Sequence, residues 1–97
     1  MLNFDSSVDR KALCEKMSTN LSTLRAKANI TQDELAERLG LSRQTISAIE
    51  NKKRKMLWTT FSVLIMFFLK NEEIRELMTV MGILNDDIEK AFNINAK

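Results

Sequence analysis

The sequence predicts an all-α fold, a compact bundle of five to six helices. Proline is absent from the 97 residues and glycine occurs twice, so little in the chain interrupts a helix. The composition is 44% apolar and 29% charged, which is typical of a globular protein. Apolar residues recur every three or four positions along most of the chain. A chain of this length sustains one hydrophobic core, so we expect a single domain over residues 1–97.

The composition also indicates which chemistry the chain is poorly equipped to perform. Histidine, the commonest general base and metal ligand, is absent, and Cys14 is the sole cysteine. A lone cysteine cannot form an intrachain disulfide, and it more often fills a core position than acts as a nucleophile. We therefore expect no enzyme, no metal site and no cofactor.

The first predicted helix occupies residues 17–28, preceded by a helical extension that Ser7 could cap. The cluster Ser18-Thr19-Asn20 leaves open whether this is one long helix or two pieces. Asn29 suits a left-handed stop at the C-terminal end. The apolar positions expected to face the core are Cys14, Met17, Leu21, Leu24 and Ala28.

The second predicted helix is short and carries a start and a stop signal. Thr31 and Glu34 form a capping box, in which each side chain satisfies a backbone donor at the other's position. Ile30 and Leu35 have the spacing of a hydrophobic staple. Gly40 ends the helix because it is free to take a positive φ. The residues expected to face inward are Leu35, Ala36 and Leu39.

A third helix begins at Ser42, only two residues after Gly40. Two short helices joined by so tight a turn cannot lie antiparallel, so they must cross steeply, as in a helix-turn-helix. Ile46 and Ile49 mark the buried side of the third helix. The opposite side carries Arg43, Gln44, Ser47, Ala48 and Asn51.

This polar side can be interpreted in two ways. Arginine and glutamine reach base edges in the major groove, pairing preferentially with guanine and adenine. The alternative is an ordinary solvated face, and the helix alone does not separate the two. The net charge of +2 is too small to decide, but the adjacent cations Lys52, Lys53, Arg54 and Lys55 follow the helix directly. Their position favours nucleic acid, with the cationic run contacting phosphates.

The stretch "TQDELAERLGLSRQTISAIENKKRK" (residues 31–55) resembles Cro and phage-repressor regulators, the lambda-repressor-like, XRE-type helix-turn-helix family. The resemblance extends over residues 21–69, about half of the chain. The matching positions include Gln32 opening the first motif helix, Ala36 at the helix crossing, and Gly40 in the turn. Family members often carry glycine at position 52 and proline near 56, so we expect the loop after the third helix to run differently.

The resemblance also implies roles for individual residues. Arg43, Gln44 and Ala48 would point at base edges, and Gln32 and Asn51 would contact phosphates. With the cationic run and the flanking positions, the predicted DNA-binding set is Gln32, Ser42, Arg43, Gln44, Thr45, Ser47, Ala48, Asn51, Lys52, Lys53 and Arg54.

A structural ion pair is predicted between Arg25 and Glu50. Glu50 follows Ile46 by four residues and so lies at the edge of the buried side, where a bare carboxylate is poorly solvated. Arg25 lies at the corresponding edge of the first helix, and relatives often carry an Arg–Glu pair at these positions. The alternative is that Glu50 faces solvent.

Residues 56–69 form an apolar run with two possible interpretations. A membrane anchor would need about 20 apolar residues, whereas this run is shorter and contains two threonines and a serine. We therefore expect no membrane association, and a cytoplasmic location, because the N-terminus also lacks a signal pattern. As a soluble helix the run buries Trp58, Phe61, Leu64, Ile65 and Phe68. It leaves a second apolar side, Val63, Met66 and Phe67, to be covered by the tail or by a second copy.

The tail predicts two further helices, over residues 72–81 and 86–92. Ile74, Leu77, Met78 and Met81 recur at helical spacing, and Gly82 interrupts the pattern. Asn85 then caps a short amphipathic helix that contains Ile88 and Phe92.

These observations lead to one functional prediction and one alternative. We expect a sequence-specific DNA-binding transcriptional regulator, a repressor that binds a palindromic operator in double-stranded DNA as a homodimer. Its parts would be an N-terminal extension (1–17), a helix-turn-helix core (18–70) and C-terminal helices for packing or dimerisation (71–97). The alternative is an antitoxin-like or other interaction module whose C-terminal helices bind a partner protein.

Overall fold

A computed structural model describes residues 9–92, which fold into six α-helices and contain no β-strand. The all-α prediction is therefore confirmed for this range. The proposed cap at Ser7 lies outside the described residues. The helices are α1 (Arg10–Ala28), α2 (Gln32–Leu39), α3 (Arg43–Glu50), α4 (Trp58–Phe68), α5 (Glu72–Val80) and α6 (Asp86–Ala91).

Helix α1 runs without a break through the polar cluster that left its length open. Its cap is Asp9, whose side chain accepts a hydrogen bond from the Ala12 backbone N–H at 3.1 Å. Ser18 is buried inside the helix, and the Asn20 side chain donates to the Lys16 carbonyl at 2.8 Å. Because these polar groups are accommodated along the helix, residues 10–17 continue directly into the helix-turn-helix core.

The ends of the following helices are set by local capping. Asn29 and Gly40 both adopt left-handed backbone conformations, with φ of 59° and 72°. Thr31 and Glu34 form the expected capping box at the start of α2. These stops and starts leave short connections between α1, α2 and α3, and α3 packs against both of the other helices.

Helix α4 supplies the largest side chains of the core. Phe61, Leu64, Ile65 and Phe68 are fully buried against α1 and its neighbours, as the pattern predicted. Trp58 is partly buried at the start of the helix and stacks on Phe61, with 4.7 Å between ring centroids. Within residues 9–92 no helix has the length and apolarity to cross a bilayer.

The tail forms α5 and α6, each ending one residue before its predicted end. Both begin at an asparagine cap, Asn71 and Asn85. Of the two expected covers for the second side of α4, the tail does not reach two residues, because Val63 remains 49% exposed and Met66 55% exposed. The tail instead directs its apolar residues into the common core, where Ile74, Met78, Ile83, Leu84 and Ile88 are buried.

Candidate nucleic-acid interface

The third helix, α3, is anchored on one side and open on the other. Ile46 and Ile49 are buried in the core that α1 and α2 share with α3. The opposite side therefore faces outward, with Arg43 and Gln44 exposed and Ser47 and Ala48 partly exposed. The small side chain of Ala48 keeps the middle of this surface low, so a flat or convex ligand could approach the helix closely.

The first turn of α3 presents hydroxyl groups and backbone donors together. The Ser42 Oγ accepts a hydrogen bond from the Thr45 backbone N–H at 3.1 Å and lies 3.0 Å from the Thr45 Oγ1. These two side chains define where the helix starts. The first turn of any helix also carries backbone N–H groups without intrahelical acceptors, and such groups favour anions.

Arg43 is held loosely above the start of α2. Its Nε lies 3.5 Å from the Asp33 Oδ1, and its Nη1 lies 3.5 Å from the Gln32 Oε1. The Arg43 and Asp33 side chains are both well exposed to solvent, so these contacts contribute little and are weakened further by salt. The guanidinium can therefore leave them for a stronger acceptor.

Arg25 and Glu50 lie in direct contact, as their positions in the sequence predicted. The Arg25 Nε donates to the Glu50 Oε2 at 2.6 Å, and its Nη2 donates to the Oε1 at 3.2 Å. The side chains are only 17% and 8% exposed, so the pair is partly buried. Arg25 also donates to the Ile30 carbonyl at 3.1 Å, which ties the turn between α1 and α2 into the same network.

Gln32 joins this network from the start of α2. Its Nε2 donates to the Glu50 Oε1 at 2.9 Å, so the side chain expected to contact a phosphate is held by Glu50 in the free protein. The carboxylate of Glu50, the last residue of α3, therefore bonds to Arg25 of α1 and to Gln32 of α2. The network fixes the C-terminal end of α3 relative to α1 and α2.

A cationic loop follows α3. Asn51 ends the helix and donates from its Nδ2 to the Ser47 Oγ at 3.3 Å. Lys52 takes a left-handed backbone conformation with φ of 63°, the region that glycine favours. At this one position the expected difference from the family is absent, because Lys52 adopts the backbone conformation that glycine would take. Lys53 and Arg54 both donate their backbone N–H to the Ala48 carbonyl, at 2.9 and 3.2 Å.

The side chains of Lys52, Lys53, Arg54 and Lys55 are all exposed. None of them forms an ion pair with another residue in the range 9–92. The cationic loop thus adds exposed positive charge after the C-terminal end of α3, and Arg43 adds one at its N-terminal end.

The residues most often used in nucleophilic or metal chemistry are few in this chain. Burial raises the pKa of the Cys14 thiol, so it remains protonated at neutral pH, which suits a core residue and not a nucleophile. In the part of the chain that the structure describes, no three acidic, histidine or cysteine side chains are grouped to hold a metal ion.

The sequence pattern did not predict the contact between Arg43 and Asp33. Asp33, the carboxylate nearest to Arg43, sits ten residues earlier in the chain, on a different helix. The sequence holds no local signal for this contact, because it depends on the angle at which α2 and α3 cross.

Comparison with known proteins agrees with this geometry. The sequence model of the helix-turn-helix family matches residues 21–55, which include α2, α3 and the cationic loop. An uncharacterized HTH-type transcriptional regulator of Methanocaldococcus jannaschii is 44% identical over 59 residues, which are 60% of this chain and 89% of that protein. The chain belongs to the helix-turn-helix family of Cro/C1, or XRE, type.

A second archaeal relative of this helix-turn-helix chain gives a shorter match. It is an uncharacterized HTH-type transcriptional regulator of Archaeoglobus fulgidus, 49% identical over 37 residues, which are 38% of this chain and 52% of that protein. No solved structure matches the chain significantly.

Proposed function

We propose that this protein is a sequence-specific DNA-binding transcriptional regulator, a repressor that acts as a homodimer on a palindromic operator. The exposed side of α3 carries the proposal. It offers an arginine, a glutamine and hydroxyl groups on a helix whose other side is buried. The names of both archaeal relatives, HTH-type transcriptional regulators, agree with it.

Base readout is assigned to Arg43 and Gln44, with Ser47 and Ala48 beside them. An α-helix with its side chains is about 10–12 Å across, and the major groove of B-DNA is about 12 Å wide, so α3 can enter the groove. Arg43 exchanges its weak contacts to Asp33 and Gln32 for a guanine, whose O6 and N7 accept two hydrogen bonds. Gln44 is suited to the N6 and N7 of adenine in the same way.

Phosphate contacts are assigned to both sides of α3. Ser42 and Thr45 flank its first turn, and Asn51 and the lysines and arginine of the cationic loop follow its last turn. Gln32 contributes through the first turn of α2, where backbone N–H groups favour an anion. These contacts would fix the orientation of the domain and supply most of the non-specific affinity.

Homodimer formation is assigned to the outer side of α4. Val63 and Met66 are exposed there next to the partly buried Phe67, so the helix is apolar on both sides. A second copy would bury this surface, and two copies related by a twofold axis read a palindrome. Such a dimer would repress by occupying promoter DNA, and we propose that it acts in the cytoplasm.

Selection of bound sites from a random DNA pool, at one stated salt concentration, tests the proposal. We expect a single enriched motif with two inverted halves about one helical turn apart. An Arg43→Ala, Gln44→Ala double variant serves as the matched control, because it keeps the cationic loop but should enrich no motif. If the unmodified protein enriches no sequence, the proposed function is wrong and the protein-interaction alternative gains support.

Repression is tested separately with the selected motif. We expect transcription in vitro from a promoter that overlaps the motif to fall as the protein is added. Transcription that rises with added protein would show an activator instead.

A further inference from the structure

The molecule also has a cleft that no residue of α3 lines. It lies between the N-terminal half of α1 and residues 52–58, and we name it the α1 cleft. Its volume is about 460 Å³, within the range of small-molecule sites. Its apolar wall consists of Cys14, Met56, Leu57 and Trp58.

The rim of the α1 cleft is strongly cationic. Lys11 comes from α1, and Lys52, Arg54 and Lys55 come from the cationic loop. These four side chains are exposed and form no ion pair with any residue between 9 and 92. Glu15 is the acidic residue of the lining, so the cations outnumber it. The rim therefore attracts an anion.

The apolar wall of the α1 cleft favours an anionic ligand that also carries an apolar group. Leu57 is 65% exposed although it lies beside buried Met56 and Cys14, so apolar surface remains open to water at this point. Covering such surface is favourable by about 25 cal/mol per Å². Arg10 lies over the Trp58 ring at 5.2 Å and is already engaged, so we assign it no part in ligand binding.

We propose that the α1 cleft binds a small amphipathic carboxylate, an apolar chain or ring with one anionic head, and that binding weakens the hold on DNA. The apolar body lies against Met56 and Leu57, and the carboxylate meets the lysines of the rim. The second half of the proposal rests on the proposed DNA-binding function. Lys52 and Arg54 belong both to the rim and to the assigned phosphate contacts, so ligand and DNA compete for the same cations. By linkage, DNA must weaken ligand binding by the same factor.

The binding half is tested without DNA, using decanoate below its micelle-forming concentration as the probe. Trp58 is the single tryptophan of the chain and lines the α1 cleft, so its fluorescence reports occupancy directly. We expect a saturable change with decanoate and at least tenfold weaker binding of 1-decanol. Equal binding of the two, or no saturable change, would overturn the site.

Two substitutions locate the probe. Leu57→Asp places a carboxylate in the wall and should weaken decanoate binding at least tenfold. It should also fold, because Leu57 is the N-cap residue of α4 without a side-chain cap bond, a position where aspartate is favoured. The matched control is Val80→Asp on α5, where the valine is 83% exposed, and it should bind decanoate as the unmodified protein does. Equal losses in both variants would contradict a site in the α1 cleft.

The coupling half is tested by DNA binding with and without decanoate at constant ionic strength. Decanoate should weaken the DNA complex of the unmodified protein at least fivefold and leave that of Leu57→Asp unchanged. Decanoate binding without any effect on DNA affinity would overturn the coupling but keep the site. A protein that binds decanoate but no DNA would refute the proposed function instead, so the two failures are distinguishable.

Discussion

Arg43 and Gln44 differ from the other exposed polar residues because they stand on the first turn of a helix whose opposite side is fixed in the core. We predict that replacing either residue with alanine lowers affinity for the best DNA site by about 1–3 kcal/mol, since alanine cannot form the bidentate hydrogen bonds to a base. Affinity for random DNA should change less, because that binding depends on phosphates. Binding to both DNAs is measured at one salt concentration. Equal losses on the two would refute base readout by these side chains.

Lys52 combines a left-handed backbone with a charged side chain. The left-handed region costs a residue with a Cβ about 1–2 kcal/mol. We predict that Lys52→Gly raises the free energy of unfolding by about 1 kcal/mol, measured in urea, while it weakens binding to all DNA sequences. The control is Lys53→Gly, at a neighbouring position without a positive φ, and it should lower stability. If both variants are destabilised equally, the backbone at Lys52 carries no strain.

At the scale of elements, the Arg25–Glu50 pair holds α3 against α1. Removing one partner of a buried pair costs about 3–5 kcal/mol, because the remaining charge is stranded. We predict that Arg25→Ala and Glu50→Ala each lower the free energy of unfolding by an amount near this range and weaken DNA binding as well. The double variant should cost less than the sum of the singles in a urea-unfolding cycle. Additive losses would mean that the contact contributes no coupling energy.

The cationic loop is a second element with a measurable signature. We predict that alanine at Lys52, Lys53 and Arg54 reduces the slope of log affinity against log salt by about 0.9 for each phosphate that the variant no longer neutralises. The matched control is Lys90→Ala, an exposed lysine on α6, which should leave the slope unchanged. An unchanged slope in the triple variant would show that the loop is merely solvated.

At the scale of the whole molecule, the exposed apolar side of α4 predicts self-association. Sedimentation equilibrium at micromolar concentration should show a dimer, and Met66→Asp should shift it to monomer by placing a charge in the interface. The control Val80→Asp also introduces an aspartate at an exposed apolar residue, on α5, and should leave the dimer intact. A protein that stays monomeric both free and on DNA would contradict the α4 interface.

The sequence predicted most reliably those features that depend on neighbours in the chain. Asn29, Thr31, Gly40, Ser42 and Asn85 mark helix ends correctly because capping is decided within a few residues. The sequence could not show whether α1 is one helix or two, because the burial of Ser18 depends on helices far along the chain.

The contacts between elements were harder to predict for the same reason. Periodicity identified a second apolar side on α4, but only the packing of α5 and α6 decides whether Val63 and Met66 are covered. Asp33 near Arg43 likewise follows from a crossing angle that no local pattern encodes. The Arg25–Glu50 contact was predictable because both residues lie at the edge of a buried helix side and the family resemblance supplied the pairing.

The local caps around α2 and α3 also bear on how quickly the chain folds. Each of these helices carries its own start signal, and they pack on each other across a turn of only a few residues. Contacts so close in sequence have a low loop-closure cost and speed folding. The pair is therefore suited to form in the folding transition state before α5 and α6 dock. Substitutions at Thr31 or Ser42 should then slow refolding, whereas those at Ile88 should mainly accelerate unfolding, which stopped-flow measurements in urea can resolve.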